Sequence, residues 1–235
     1  MKTIGLIGGM SWESTAIYYA RLNQQMQRRR GGFSSAEILL RSVDFARIVA
    51  LQQRGAWDEA AEDMIAQARA LERGGADMVL ICTNTMHRVA DAVAQAISVP
   101  LLHIVDVVAA ALKARGLRRP LLLATRYTME QDFWLGRMRD RHGLSPLVPA
   151  SADDRGLVHT VIFDELCHGL VRDASRAAFC AVIESGKLAG ADGVILGCTE
   201  IGMLVGPNDT ELPIFDSTFL HADAALDLAL AEPPD

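Results

Sequence analysis

A chain of 235 residues, half of them hydrophobic, 6% aromatic and 22% charged, is long enough for one large domain or two of ordinary size, and too apolar to stay disordered. A formal net charge of −6 and a pI near 5.5 exclude the basic footprint of a nucleic-acid binder. The opening MKTIGLIGGM lacks the long apolar region and cleavage site of a signal peptide, and no run approaches the roughly 18 apolar residues that span a bilayer, so a cytoplasmic protein is expected, without membrane or nucleic-acid partners.

In chain order the pattern opens with a strand at 3–8, followed by a helix at 14–30 that ends in Arg28-Arg29-Arg30 before Gly31-Gly32. That end places positive charge at the negative pole of a helix. A strand at 36–42, a helix at 57–73, a strand at 77–82, a helix at 86–97 and a strand at 99–105 complete the first half. Past a break around Ala114-Arg115-Gly116-Leu117 come strands at 120–125 and 145–149, interleaved with helices at 130–142, 151–168 and 174–187, then strands at 192–197 and 212–216 and a last helix at 217–231. Alternation of strand and helix predicts an α/β protein of two similar doubly wound, Rossmann-like domains with mainly parallel sheets and right-handed crossovers. The expected domains are 1–114, carrying Cys82, and 115–216, carrying Cys198. The C-terminal segment 217–235 can pack on either and is placed with the first.

The two halves repeat each other. GADMVLICTNT at 75–85 is answered by GADGVILGCTE at 190–200, with Cys82 and Cys198 separated by 116 positions. TIGLIGGMS is matched by PLLLATRYT, with Gly9 and Thr125 again 116 apart, and VPLLHIVD around Pro100 by LPIFD around Pro213, 113 apart. Three agreements in one order predict an internal duplication with pseudo-two-fold character.

Cys82 ends an apolar run, and small polar residues follow, so it is expected at a strand's carboxyl end. That rim is where open α/β sheets bind ligands, and a helix N-terminus there can lower a thiol pKa. A buried thiol packing as a small hydrophobe is the plainer alternative. Duplicated cysteines brought to opposite walls of one cleft would suit removal of a proton from one face of a carbon and its return to the other. Thr83, Asn84 and Thr85 offer donors to a carboxylate, while Thr199 and Glu200 can hold an ammonium and a second carboxylate oxygen; helix capping is the competing role. Cys167 and Cys180 fall on helical patterns and are expected to pack. The four scattered cysteines predict reduced thiols, not a disulfide scaffold.

GLIGGM at 5–10 is not GxGxxG, so no dinucleotide is expected, and Gly8-Gly9 is read as backbone approaching a substrate. The histidines form no zinc pattern, and His87 is expected at the surface or on capping duty. Two other classes stay open: a cysteine hydrolase with a histidine base, which leaves the second cysteine unexplained, and a two-lobed small-ligand sensor without catalysis.

GGMSWEST at 8–15, RSVDF at 41–45, CTNTMH at 82–87, TRYTMEQDF at 125–133 and GCTEIGML at 197–204 resemble, in order, the signature segments of the aspartate/glutamate racemase family, nearest its broad-specificity amino-acid racemase branch. The resemblance implies a homodimeric, cofactor-independent isomerase acting on free amino acids without pyridoxal phosphate or metal. It implies Cys82 and Cys198 as the acid/base pair, Thr83, Asn84, Thr85 and Thr199 around the α-carboxylate and amine, and Met10 and Thr125 lining the pocket. Family members strict for aspartate carry Pro-Asp-Arg where this chain has Val43-Asp44-Phe45. Asp44 and Phe45 thus mark a side-chain pocket without the arginine an acidic side chain would need, unless Arg41, Arg47 or Arg126 substitutes. The family's decarboxylases and cis-trans isomerases remain the alternative activities.

Overall fold

A computed structural model describes residues 1–231 and divides them into two compact units, Met1–His103 together with the chain from His221 onward, and Ile104–Leu220. The first unit contains β1 (Ile4–Gly8), α1 (Trp12–Arg30), β2 (Ile38–Ser42), α2 (Phe45–Arg54), α3 (Trp57–Arg73), β3 (Met78–Ile81), a 3₁₀ turn at Thr85–Val89 and α4 (Ala90–Gln95). Its strands are parallel in the order β2-β1-β3, and a single bridge from Val79 to Leu101 adds a fourth position outside β3.

Alternation along the strands sends side chains to two separate cores. Ile7, Val79 and Ile81 meet Ile48, Met64 and Leu71 on one face, whereas Ile4, Leu6, Met78 and Leu80 meet Tyr18, Leu22 and Met26 on the other. β1 and β3 are buried throughout, as central strands of a doubly covered sheet must be. α1 forms because Ser11 caps it, accepting from the Ser14 N–H, and because Ser14, Tyr18, Leu22 and Met26 recur at helical spacing on its buried side.

The second unit runs through α5 (Ile104–Ala114), β4 (Leu121–Leu123), α6 (Arg126–Glu130), α7 (Asp132–His142), α8 (Ala152–Asp164), a turn at Leu166–His168, α9 (Asp173–Leu188), β5 (Val194–Leu196), α10 (Ile201–Leu204), β6 (Ile214–Asp216) and the opening of α11 (Ser217–Leu230). Its parallel sheet has the order β4-β5-β6, with a bridge from Leu121 to Leu147 beyond β4. Trp134 and Phe179 are the largest side chains in its core, both fully buried.

Counting each bridge as a strand, both sheets read 2-1-3-4, and the recurring segments do the same work in each unit. The Asp77 carboxylate accepts from the Thr3 N–H and the Asp192 carboxylate from the Arg118 N–H, both at 2.6 Å and both across 74 residues. The Pro100 carbonyl accepts from Val79 and the Pro213 carbonyl from Val194, both at 2.9 Å. The repeated aspartates and prolines therefore pin the third strand to its neighbours.

Three expectations change. The strands at 99–105 and 145–149 shrink to single bridges, and α5 begins at Ile104, ahead of the expected break. The run from Leu101 to Leu112 is apolar enough for a strand or a buried helix; the buried set Ile104, Val105, Val108, Ala109 and Leu112 follows the helical period. The unit boundary accordingly lies between His103 and Ile104, so α5 belongs with the second unit and not with the first. Among the described residues no helix is long and apolar enough to cross a membrane.

Candidate active site

In a 2-1-3-4 sheet the chain leaves the first strand in one direction and the third in the other, which opens a crevice between their carboxyl ends. That position is held by the ends of β1 and β3 in the first unit and of β4 and β5 in the second. Each cysteine follows the third strand of its unit.

In the first unit, Gly9 has φ +85°, and a Cβ there would lie 2.2 Å from the Val43 carbonyl oxygen; its N–H donates to Thr15 Oγ1 at 2.8 Å. A Cβ on Gly8 would meet Thr15 Cγ2 at 2.5 Å. The close approach that requires these glycines is to Val43 and Thr15 of the protein itself, which accounts for them without a substrate. Met10 is buried against Ile7 and Ile48.

The Cys82 N–H still donates to the Ile7 carbonyl at 2.9 Å, so the cysteine sits where sheet pairing ends. Its thiol is fully buried, and burial pushes its pKa far up. The expected lowering by a helix is not found: Thr85–Val89 is a short 3₁₀ turn, and desolvation outweighs it. Asn84 begins that turn without a side-chain cap, and Asn84 and Thr85 are both buried.

His87 is buried and not at the surface; its Nδ1–H donates to the Thr83 carbonyl at 2.8 Å, which ties down the loop after Cys82. The ring lies against His103 and His221, with centroids at 4.6 and 5.7 Å. A carbonyl only accepts, so His221 Nε2–H donates to Leu102 O while Nδ1 accepts from the Tyr18 hydroxyl, both at 2.8 Å. Burial pulls the His221 pKa down to about 4, consistent with this neutral ring.

In the second unit, Thr125 follows β4 at the start of α6, in extended geometry, but its hydroxyl does not cap; it lies 3.3 Å from the Thr128 hydroxyl. Cys198 is partly buried, and its thiol donates to Glu200 Oε2 at 2.9 Å. Burial and the adjoining Glu200 carboxylate together push the Cys198 pKa well up. Thr199 and Glu200 are buried, and Glu200 opens α10 without capping it through its side chain. Gly197 is required by packing, since a Cβ there would meet Leu122 Cδ1 at 2.7 Å. Cys167 packs against this unit's core, and Cys180 is half-buried on α9.

Asp44 caps α2, its carboxylate accepting from the Ala46 N–H at 3.0 Å, and Phe45 packs on the first unit's core with Val43. A cavity of about 230 Å³ at the end of β2 is lined by Arg41, Asp44, Arg47, Asp63 and Gln67, among others. Its arginines are engaged: Arg47 pairs with Asp63 at 2.7 Å and Arg41 Nε donates to Gln67 at 3.0 Å. Arg126 pairs with Glu130.

The sequence pattern of the Asp/Glu/hydantoin racemases matches residues 7–225. The chain belongs to that family. The racemase, an isomerase by this membership, is similar to a candidate Asp/Glu racemase of Yersinia pestis, at 46% identity over 98% of this chain and 100% of that one, with a TM-score of 0.93. An aspartate racemase homologue of Pyrococcus horikoshii OT3 is 33% identical over 97% and 99% of the two chains, with a TM-score of 0.84. The aspartate racemase of Picrophilus torridus, at 24% identity over 97% and 94%, shares the racemase fold with a TM-score of 0.74.

Proposed function

We propose that this racemase interconverts the enantiomers of a free amino acid by moving the Cα proton between Cys82 and Cys198, without a cofactor. The observation that supports the reading is positional: each unit carries one cysteine just past the carboxyl end of the third strand, in sheets of the same strand order. One thiolate takes the proton from one face of Cα, and the C–H electron pair stays on carbon. The opposite thiol then delivers its proton to the other face, inverting the centre and exchanging the two roles. A Cα–H is much less acidic than a thiol, so positioning and fixed polar groups must supply the difference. In this reading Thr83, Asn84 and Thr85 hold the α-carboxylate, Thr199 and Glu200 the ammonium, and Met10 and Thr125 line the pocket. Assembly as a homodimer in the cytoplasm belongs to the same reading, on the family resemblance and the four free thiols.

For the substrate, the reading favours broad specificity over a strict acidic preference. Phe45 stands where an arginine would meet a side-chain carboxylate, and Arg41, Arg47 and Arg126 already have partners. Chiral chromatography over a panel containing aspartate, glutamate, methionine and homoserine tests this. Turnover of all four within about two orders of magnitude is expected, a span of roughly 3 kcal/mol in transition-state binding. Aspartate or glutamate favoured by more than that would overturn it.

A further inference from the structure

Cys82 and Cys198 hold equivalent places but have different neighbours. The Cys82 thiol is enclosed with Leu6, Tyr18 and Leu80, and burial is what raises its pKa. The Cys198 thiol has a carboxylate acceptor at 2.9 Å, and Glu200 is only 3% exposed. Among the described residues, the other titratable group acting on Cys198 is the Cys167 thiol, on the turn Leu166–His168. A thiol at this spot donates into Glu200, whereas a thiolate would face a like charge at the same distance, which outweighs the Glu200 backbone N–H that favours the thiolate. A carboxylate has two oxygens, so accepting from Cys198 is compatible with a second role toward an ammonium.

We propose that Glu200 holds the proton on Cys198 in the resting protein, so that Cys198 starts as the acid. The catalytic meaning rests on the two-thiol reading above; the protonation bias does not. In the forward half-reaction the Cys82 thiolate, having lost its proton to water, accepts the Cα proton while the bonding pair remains on carbon. Cys198 S–H then supplies a proton to the opposite face, the carbon pair forms the new C–H bond, and Cys198 is left as a thiolate beside Glu200. That product state is disfavoured, and it is relieved by working on the opposite enantiomer or by taking a proton from water. Enantiomers have equal free energy, so kcat/KM is the same in both directions and the bias must appear as unequal kcat matched by unequal KM.

The test is iodoacetamide alkylation of the full chain, wild type against Glu200→Gln, followed for each cysteine by peptide mass spectrometry near pH 8. Glutamine removes the charge and presents an amide that can donate to a thiolate. Cys198 alkylation should accelerate at least about tenfold, the equivalent of one pKa unit, while Cys82 stays within about twofold. Glu200→Asp, which draws the carboxylate back by one methylene, should give a smaller acceleration at Cys198 alone, and it carries the test if the glutamine variant fails to fold by circular dichroism. An unchanged Cys198, or a parallel rise at both cysteines, overturns the proposal. If no amino acid is turned over by the wild type, the two-thiol reading fails while alkylation still decides the bias. With turnover, Glu200→Gln should bring the kcat values of the two enantiomers together, with KM following.

Discussion

The two rims share a plan and differ in how each holds its sulfur. In the first unit the loop after β1 is folded onto the protein itself through Gly9, the thiol is wholly enclosed, and the following loop is fastened by His87 within a buried histidine cluster. In the second unit Thr125 stands where Gly9 stands, no left-handed residue is used there, and the thiol meets a carboxylate. Duplication preserved strand order, the aspartate clamp and the proline contact, all of which serve the sheet; the side chains around the sulfurs diverged. What is shared between the units is therefore mostly scaffold, and what differs is mostly chemistry.

The largest expected effect breaks the comparison on its shared feature. Cys82→Ser and Cys198→Ser should each lower racemisation by at least about 10³-fold with unchanged circular dichroism, because a hydroxyl is a far weaker acid/base partner than a thiol. An active single mutant, detected by chiral chromatography, would mean that one cysteine suffices.

Next comes the contrast between the glycines of the two rims. Gly9→Ala should cost about 3 kcal/mol in denaturant unfolding, since the residue needs both positive φ and the space beside Val43. Gly197→Ala, which meets only side chains and a carbonyl at ordinary φ, should cost less, about 1–2 kcal/mol. Equal costs would erase the contrast between the rims.

His221 should make the first unit acid-sensitive. Its folded pKa lies near 4 against an ordinary 6.5, so between those values the unfolded chain binds a proton that the folded one refuses. Stability is complete above about pH 6.5 and falls as pH drops, with a loss of about 3 kcal/mol by pH 4. His221→Gln should flatten this slope in unfolding experiments across the same range. The smallest effect concerns the α2 cap: Asp44→Ala should cost about 1 kcal/mol, read from the thermal midpoint, by freeing the Ala46 N–H.

Much of the scaffold was legible in the sequence because strand and helix alternate and the GAD and proline segments recur; α3 lies at 57–73, where its periodicity puts it. The cysteines were legible as strand-end residues for the same reason. α2 was missed because its cap, Asp44, lies inside RSVDF, where it reads equally well as a pocket residue. The histidine cluster could not be read, since Tyr18, His87, His103 and His221 come from four distant segments with no spacing rule. The Cys198–Glu200 contact lies in plain view at a two-residue separation, but whether the two side chains turn toward each other depends on backbone geometry that spacing does not encode.

The central claim is that two thiols act on opposite faces of one carbon. It is tested most directly by incubating an L-amino acid with the protein in D₂O and following the early phase by proton NMR and chiral chromatography. The D enantiomer should appear carrying deuterium at Cα while the remaining L substrate keeps its proton. Loss of the L Cα–H signal without D product, or D product that retains protium, would contradict the account.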